Sequence, residues 1–530
     1  MFFEEHTPEQ IGFNTIKSWL EPLCPYGRRE LARIKPILNL RLLQETWQLV
    51  DHLRGLLAEN KLTGLETNLH RIREIHGIAF RSLRDHPLED YDFFLLKEWL
   101  LICQELEAFL AELRLPPRLR LYPLWDLKTS LSIGQEGRSF FLADAYSPAL
   151  AEKRNDQHRN QAALAILRQQ QREQVSQESC LTFNFQGVAR VSKLEGERLE
   201  SIRGRRDLLM AAESFTEVEF RLRDTPEMMA LERKTLALED EVRQEEYLVR
   251  VQLSQVVARC YRLIVANCRR LGQLDLLLAM ARLARLVDGK VPTLTAQNVL
   301  TFQGLVHPVV SRDLVREGLE FQPHHLNLGS PPVTIITGAN MGGKSVTLRA
   351  VGLAVAMAQH GMLPAVEAMN FCPRNFIYYS RHTEAGDGLS AFGTEIHSLA
   401  QVLPLREEQG LYLLDEPGRS TNPQEGSALV QAIIAWLLVG RSVTVLATHF
   451  PEVVKCTACQ HLQVAGLTTS DAALAEELAK GPQELRRLMN YRLVTAGEPA
   501  QQALKVAAFL GLEPEILARA TAILVHRQGG

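Results

Sequence analysis

The chain lacks any run of about 18 apolar residues, which argues against a membrane-spanning helix. Its opening, Met1-Phe2-Phe3-Glu4-Glu5, has acidic residues where a secretory signal would carry basic ones. A cytoplasmic protein is expected. An excess of one charge is also missing: 59 Lys and Arg stand against 62 Asp and Glu, a net charge of −3. Total charge therefore gives no reason to expect a nucleic-acid partner, and a local basic face would have to supply one. The eight cysteines, at 24, 103, 180, 260, 268, 372, 456 and 459, are scattered through apolar or helical stretches. That distribution fits reduced thiols and argues against a disulfide framework. Cys456 and Cys459 form a C-x-x-C with no second pair nearby in sequence, so they read as two ordinary thiols. What the chain has is 530 residues with 46% hydrophobic and 23% charged content, too long for one compact core and typical of a soluble multidomain protein.

Residues 1–125 read as a first helical lever or core segment, with Leu38, Leu42, Leu43, Leu49, Leu53, Leu56 and Leu57 as an apolar stripe after Pro36. Leu115-Pro116-Pro117 closes it. Residues 126–225 read as a small mixed element followed by a short clamp-like region. Tyr122–Asp144 suits a small mixed element or a hairpin, 150–180 a polar helix, and Leu181–Phe185 and Thr216–Leu222 alternate like strands. Eleven Lys and Arg face eight Asp and Glu across 150–210, a surplus more typical of a solvated helical face than of a phosphate-binding one. From Thr225-Pro226 no glycine or proline occurs until Gly272, which predicts a helix on the order of 65 Å long. Val242, Val249, Val256 and Leu263 recur every seven residues, with Leu253 and Cys260 in companion positions, so this helix should lie along a partner. Residues 226–295 thus form returning long helices, 296–485 a nucleotide domain, and 486–530 a C-terminal helical segment.

The nucleotide domain is organised around Val333–Thr337 followed by Gly338-Ala339-Asn340-Met341-Gly342-Gly343-Lys344-Ser345, a G-x-x-x-x-G-K-S loop between a β-branched strand and a helix. Gly338 and Gly343 let the backbone curl so that successive N–H groups converge on one phosphate, and the helix start adds its positive dipole end. In such a P-loop, Lys344 reaches the β- and γ-phosphates and the Ser345 hydroxyl ligates Mg²⁺. Leu411–Leu414 is an apolar run ending on Asp415 and Glu416, and a buried parallel strand delivers its carboxylates at the carboxyl edge, where α/β sheets place their sites. Asp415 fits the Mg²⁺-side carboxylate, and Glu416 fits the group that orients or deprotonates the attacking water. Ser442–Thr448 forms the next buried strand, and it delivers His449 within reach of a γ-phosphate. The resulting fold class is multidomain α + α/β: a helical lever and clamp region, then a P-loop, ABC-like ATPase domain with a mainly parallel sheet, using ATP and Mg.

Thr337–Ser345, Leu414-Asp415-Glu416-Pro417-Gly418-Arg419-Ser420-Thr421-Asn422 and Ala447-Thr448-His449-Phe450 resemble the ATPase motifs of the MutS mismatch-repair family. Gly388–Ile396 resembles the family segment whose serine reaches the nucleotide of the opposite subunit, which implies that Ser390 acts in trans and that two chains sandwich two ATPs. The resemblance also places Phe321 on the adenine. More weakly, Phe13–Pro36 is similar to the start of the family's lever, 181–191 to its clamp strands, 225–294 with Leu274-Asp275 to its returning lever, and Asn490-Tyr491-Arg492-Leu493 onward to its dimerising helices. A homodimer, or a heterodimer with a related subunit, is implied.

Lever-like text begins near residue 13, which leaves no room ahead of it for the family's mismatch-reading and connector domains. Phe3-Glu4-Glu5 is accordingly expected to be a tail and not the family's mismatch wedge. Pro417, Ser420 and Pro423 also depart from the usual wording around the catalytic Glu. Two outputs of the ATPase remain open. One is a DNA clamp that binds duplex or branched DNA without reading mismatches. The other is a protein-remodelling subunit, resembling the MutS-like reactivases of cobalamin-dependent lysine or ornithine aminomutases.

Overall fold

The structure, a computed structural model, describes every residue except 1, 85, 114, 339–342, 381–390, 451, 454–457, 468–486, 488, 496–503, 505–506, 509–510 and 529–530. Met341, Ser390 and Cys456 therefore lie outside the described residues. The chain divides into two compact units, one formed by Met1–His70 with Leu271–Gly530, the other by Arg71–Arg270. The first 70 residues thus fold with the nucleotide domain, a division that composition along the chain did not mark.

In the Arg71–Arg270 unit, helices Asp90–Glu112 and Pro148–Ser179 accompany part of the helix Pro226–Leu286. A three-stranded antiparallel sheet follows from β1 (Val188–Ser192), β2 (Leu208–Glu213) and β3 (Glu217–Leu222), in the order β1-β3-β2. Val191, Leu199, Ile202, Val218 and Phe220 form its core with the short helix Gly196–Arg203. Two expectations change here. Leu181–Phe185 is irregular: Leu181 and Phe183 are buried in that core, but Phe185 is fully turned to solvent and the backbone bends at Asn184. Tyr122–Asp144 makes the short helix Trp125–Ser130 and turns in place of a hairpin.

The heptad reading of the long helix also shifts. Val242, Val249 and Leu253 are buried, but the buried face then continues through Val257 and Ile264, whereas Leu263 is exposed. A straight helix turns 3.6 residues per turn, so a strict seven-residue repeat drifts off the buried face after two or three heptads. The helix does not stop at Gly272 either. A side chain there would press on the Tyr26 carbonyl at 2.7 Å, so this glycine permits close backbone approach instead of ending the helix.

In the other unit, β4 (Thr293–Leu294), β5 (Leu300–Leu305), β6 (His324–Leu328) and β8 (Ala368–Phe371) form a small sheet in the order β4-β8-β5-β6. The main sheet contains β7 (Val333–Thr337), β9 (Ile377–Ser380), β10 (Leu411–Asp415), β11 (Val443–Ala447), β12 (Gln460–Leu467) and β13 (Met489–Thr495). Its order is β13-β12-β7-β11-β10-β9, parallel except for antiparallel β13. Strands β7, β10 and β11 are buried along nearly their whole length, as a parallel sheet covered on both faces requires. Helices Lys344–Gln359 and Pro423–Leu438 pack on it, the latter through Val430, Ile433, Ile434 and Leu437.

Asn490–Leu493, expected to open the C-terminal helices, belongs to β13. Its alternation of apolar and polar residues suits an edge strand, and helix follows further on, including Pro514–Gln528. The apolar stripe after Pro36 is real but rotated: Leu43, Trp47, Val50, Leu53 and Leu57 are buried, while Leu38 and Leu42 are exposed. Trp47 donates its indole N–H to the Ala358 carbonyl at 2.9 Å, tying the helix Leu40–Ala58 to the end of the helix that follows β7. Asp275, fully buried, accepts the backbone N–H groups of Leu23 and Cys24 at 3.0 and 2.8 Å and so caps the start of helix Pro25–Ala32.

Candidate functional site

The carboxyl ends of β7, β10 and β11 lie side by side, with β11 between the other two, so the residues leaving them converge. From β7 the chain passes Gly338, whose φ of 136° is open to glycine, and reaches Gly343 at φ 80°, the residue before helix Lys344–Gln359. Ala339, Asn340, Met341 and Gly342, between them, lie outside the described residues. The Lys344 ammonium donates to the Gly338 carbonyl at 2.8 Å and lies 3.7 Å from a Glu416 carboxylate oxygen. Burial lowers the lysine's pKa, and the Glu416 and Asp415 charges oppose that shift.

Ser345 donates its hydroxyl to Oδ1 of Asp415 at 3.0 Å. Tyr379, on β9, donates its phenol to the other oxygen, Oδ2, at 2.8 Å. Asp415 is buried, so both its oxygens are satisfied by hydroxyls. Glu416 follows at φ 51°, a left-handed conformation that a glutamate seldom adopts, and its N–H donates to Ala447 on β11 at 2.9 Å. Its second carboxylate oxygen accepts from Arg419 at 2.6 Å. Beneath this turn the Gly418 N–H donates to the buried carboxylate of Glu395 at 3.1 Å. His449, just past β11, is accessible. Its pKa is lowered by partial desolvation, against the pull of Glu416 and with a push from Arg419 and Lys344.

Phe321 meets His324 edge-on, with ring centroids 5.5 Å apart, and His324 in turn touches the Thr347 hydroxyl at 3.3 Å on the helix that Lys344 opens. Gln322 beside it bonds β13 twice, donating to Met489 and accepting from Tyr491. Tyr491 stands against Gly343, where an added side-chain carbon would meet its ring at 3.1 Å.

The structure thus brings Gly338, Gly343, Lys344, Ser345, Asp415 and Glu416 together, with His449 at their border and Phe321 connected through His324. Tyr379, Glu395 and Tyr491 were not singled out from sequence. No spacing rule links Tyr379 or Tyr491 to the loop, although Glu395 lies within the Gly388–Ile396 segment that carried a family resemblance. A serine hydroxyl and a carboxylate 3.0 Å apart are hard oxygen donors that fit Mg²⁺, which usually takes one or two protein oxygens and fills the rest with phosphates and water.

An open parallel sheet with a lysine, a hydroxyl and two carboxylates gathered at its carboxyl edge defines the α/β class that binds its ligands there. Residues 334–527 match the family model described as MutS domain V, which makes this part of the chain a domain of the MutS family. It is 31% identical to the endonuclease MutS2 of Staphylococcus epidermidis over 40% of this chain and 27% of that protein. Against the DNA mismatch repair protein MutS of Symbiobacterium thermophilum the identity is 27%, covering 98% of this chain and 58% of the relative. The Synechococcus DNA mismatch repair protein MutS is 34% identical over 43% of this chain and 26% of its own length. The chain therefore spans between about a quarter and three fifths of these relatives.

Proposed function

We propose that the chain is a Mg²⁺-dependent ATP hydrolase of the P-loop type. The observation that carries this reading is the convergence of Lys344, Ser345, Asp415 and Glu416 at the ends of β7 and β10, on either side of β11. Backbone N–H groups of the 338–345 loop would cradle the phosphates, and Lys344 would exchange its bond to Gly338 for the β- and γ-phosphate oxygens. Ser345 and Asp415 would hold the magnesium ion, which when bound offsets charge between those phosphates. Glu416 orients a water and accepts its proton, and its tie to Arg419 aims the carboxylate. His449, its pKa lowered by partial burial, would offer a hydrogen bond to the γ-phosphate. Phe321 and Tyr491 would flank the base.

The chain is further proposed to act as a dimer, with Ser390 of one copy completing the site of the other. Exposed Leu512, Ile516 and Ile523 in and beside helix Pro514–Gln528 supply apolar surface for that association. Titrating a fluorescent ATP analogue with and without Mg²⁺ tests the reading, and absence of binding under both conditions contradicts it.

For the output, the relatives' names, DNA mismatch repair protein and endonuclease, favour a role on DNA, read here as a DNA clamp that does not recognise mismatches. A specific observation favours a protein partner instead. In the β1–β3 region, Arg190 faces Glu219, Lys193 and Arg203 face Glu213, Arg198 faces Glu195, and Arg205 faces Asp207 and Glu178. Cations already paired within the protein release fewer counterions from DNA. At one end of this sheet, Leu194 and Phe215 are almost wholly exposed on turns joined by the Lys193–Thr216 backbone bond. A remodelled aminomutase is the partner class on this second reading. Binding to duplex and junction DNA at low salt, set beside ATP-dependent rescue of an inactivated aminomutase, separates the two.

A further inference from the structure

The outermost strand of the main sheet, β9, is not left open on its free side. Its Ile377 N–H donates to the Phe2 carbonyl at 2.8 Å, and Phe3 pairs with Ile377 in parallel bridge geometry. The segment that reads as a tail therefore bridges the sheet edge at Phe3 before turning into the helix Thr7–Gln10, and a covered edge is a common device of sheets. Phe3 and Phe13 anchor it by packing on the buried ring of His360, with centroids 5.7 and 4.6 Å away. Two residues along β9 from Ile377, the Tyr379 N–H donates to the hydroxyl of Thr7 at 3.1 Å, and Thr7 is wholly buried.

Tyr379 lies opposite Leu413 in the β9–β10 register. Side chains two apart on a strand share a face, so its phenol and the Asp415 carboxylate project on the same side of the sheet. The 2.8 Å bond between them is the outcome. Asp415 is then held from two directions, by Ser345 on the helix after the phosphate loop and by Tyr379 on β9. With a metal bound, Ser345 would be free to ligate it, and Tyr379 would be the remaining hold on the carboxylate.

We infer that Tyr379 is a positioning residue for the magnesium carboxylate, and that the N-terminal segment Phe2–Thr7, through the Thr7 hydroxyl at the start of the helix Thr7–Gln10, sets Tyr379 in place. This rests on the reading of Asp415 as the Mg²⁺-side carboxylate. Groups that orient a metal ligand typically control metal affinity by 10–100-fold.

The test is Mn²⁺ binding followed by electron paramagnetic resonance on the full chain with a non-hydrolysable ATP analogue, beside analogue binding in EDTA. Tyr379→Phe should weaken Mn²⁺ affinity by about 10-fold and leave metal-free nucleotide affinity unchanged. Thr7→Val should weaken it in the same direction, and Thr7→Ser, which keeps the hydroxyl, should restore it. Unchanged Mn²⁺ affinity in Tyr379→Phe, with clear weakening in Asp415→Asn, overturns the inference alone. Unchanged affinity in Asp415→Asn overturns the reading of Asp415 and the inference with it. Equal loss of metal-free and metal-dependent binding in Tyr379→Phe, with a lowered melting temperature, assigns the tyrosine a merely structural role and also overturns the inference.

Discussion

Glu416 is held in a left-handed backbone conformation, φ 51°, while its carboxylate lies 3.7 Å from the ammonium of Lys344. The two residues come from different strand ends, and the relationship exists because β10 and β7 flank β11. Placing a side chain at positive φ costs roughly 1–2 kcal/mol, and such strain persists where the surroundings over-determine it. Here the Glu416 N–H bond to Ala447 and the Gly418 bond to Glu395 fix the turn.

Strain at Glu416 can be measured directly. Glu416→Gly and Glu416→Ala both delete the carboxylate, but only alanine keeps a β-carbon at positive φ. The glycine variant should be more stable than the alanine variant by about 1 kcal/mol. Thermal or urea unfolding checks this, and equal stabilities would mean that the turn relaxes.

Lys344→Ala should weaken nucleotide binding by on the order of 10–100-fold, the worth of about 1.5–3 kcal/mol for a hydrogen bond from a charged group. Isothermal titration with ATP and Mg²⁺ measures it. Affinity within twofold of the unaltered protein would remove the lysine from the phosphate site.

Acid should destabilise the Met1–His70 and Leu271–Gly530 unit through its buried histidines. Burial pushes His307, His324 and His360 down to about 4 from the ordinary 6.5. Between those values the unfolded chain binds more protons, so this stability is full above pH 6.5 and falls as pH drops toward 4. Each histidine should cost roughly 2 kcal/mol of stability by pH 5. Melting curves at pH 7.5 and pH 5 check the sign; a higher melting temperature at pH 5 would contradict it.

Much of the nucleotide site was legible because its signals are local. Val333–Thr337 and Leu411–Leu414 are too apolar and too short to be anything but buried strands beside glycine-rich turns, and Lys344, Ser345, Asp415 and Glu416 follow them by direct chain connection. Tyr379, Tyr491 and the contacts of Phe2, Phe3 and Thr7 with β9 were not legible, because each matters through a partner far away in the chain. Phe3-Glu4-Glu5 is a clear instance. Three residues carry too little pattern to announce a sheet contact, and only the free side of β9 gives Phe3 its bridge to Ile377. The burial of Leu181 and Phe183 without a ladder, and the drift of the long helix's buried face from Val256 to Val257, likewise depend on tertiary packing that overrides local period.

DNA binding should be weak and only mildly salt-dependent. Neutralising Glu213 and Glu219 to Gln would free Lys193, Arg203 and Arg190 and should steepen the dependence of log K on log salt, by about 0.9 for each phosphate newly contacted. Fluorescence anisotropy with duplex and junction DNA across a salt series measures both slopes. Slopes near zero in both proteins would remove the DNA reading and leave the protein partner.

The central claim is that this strand-end cluster hydrolyses ATP with Glu416 acting on the water. Single-turnover hydrolysis of radiolabelled ATP by Glu416→Gln, with binding measured on the same preparation, tests it most directly. The expected result is retained ATP affinity with a hydrolysis rate lowered by roughly 100-fold or more, the scale of general-base catalysis. Retained affinity with an unchanged rate would contradict it.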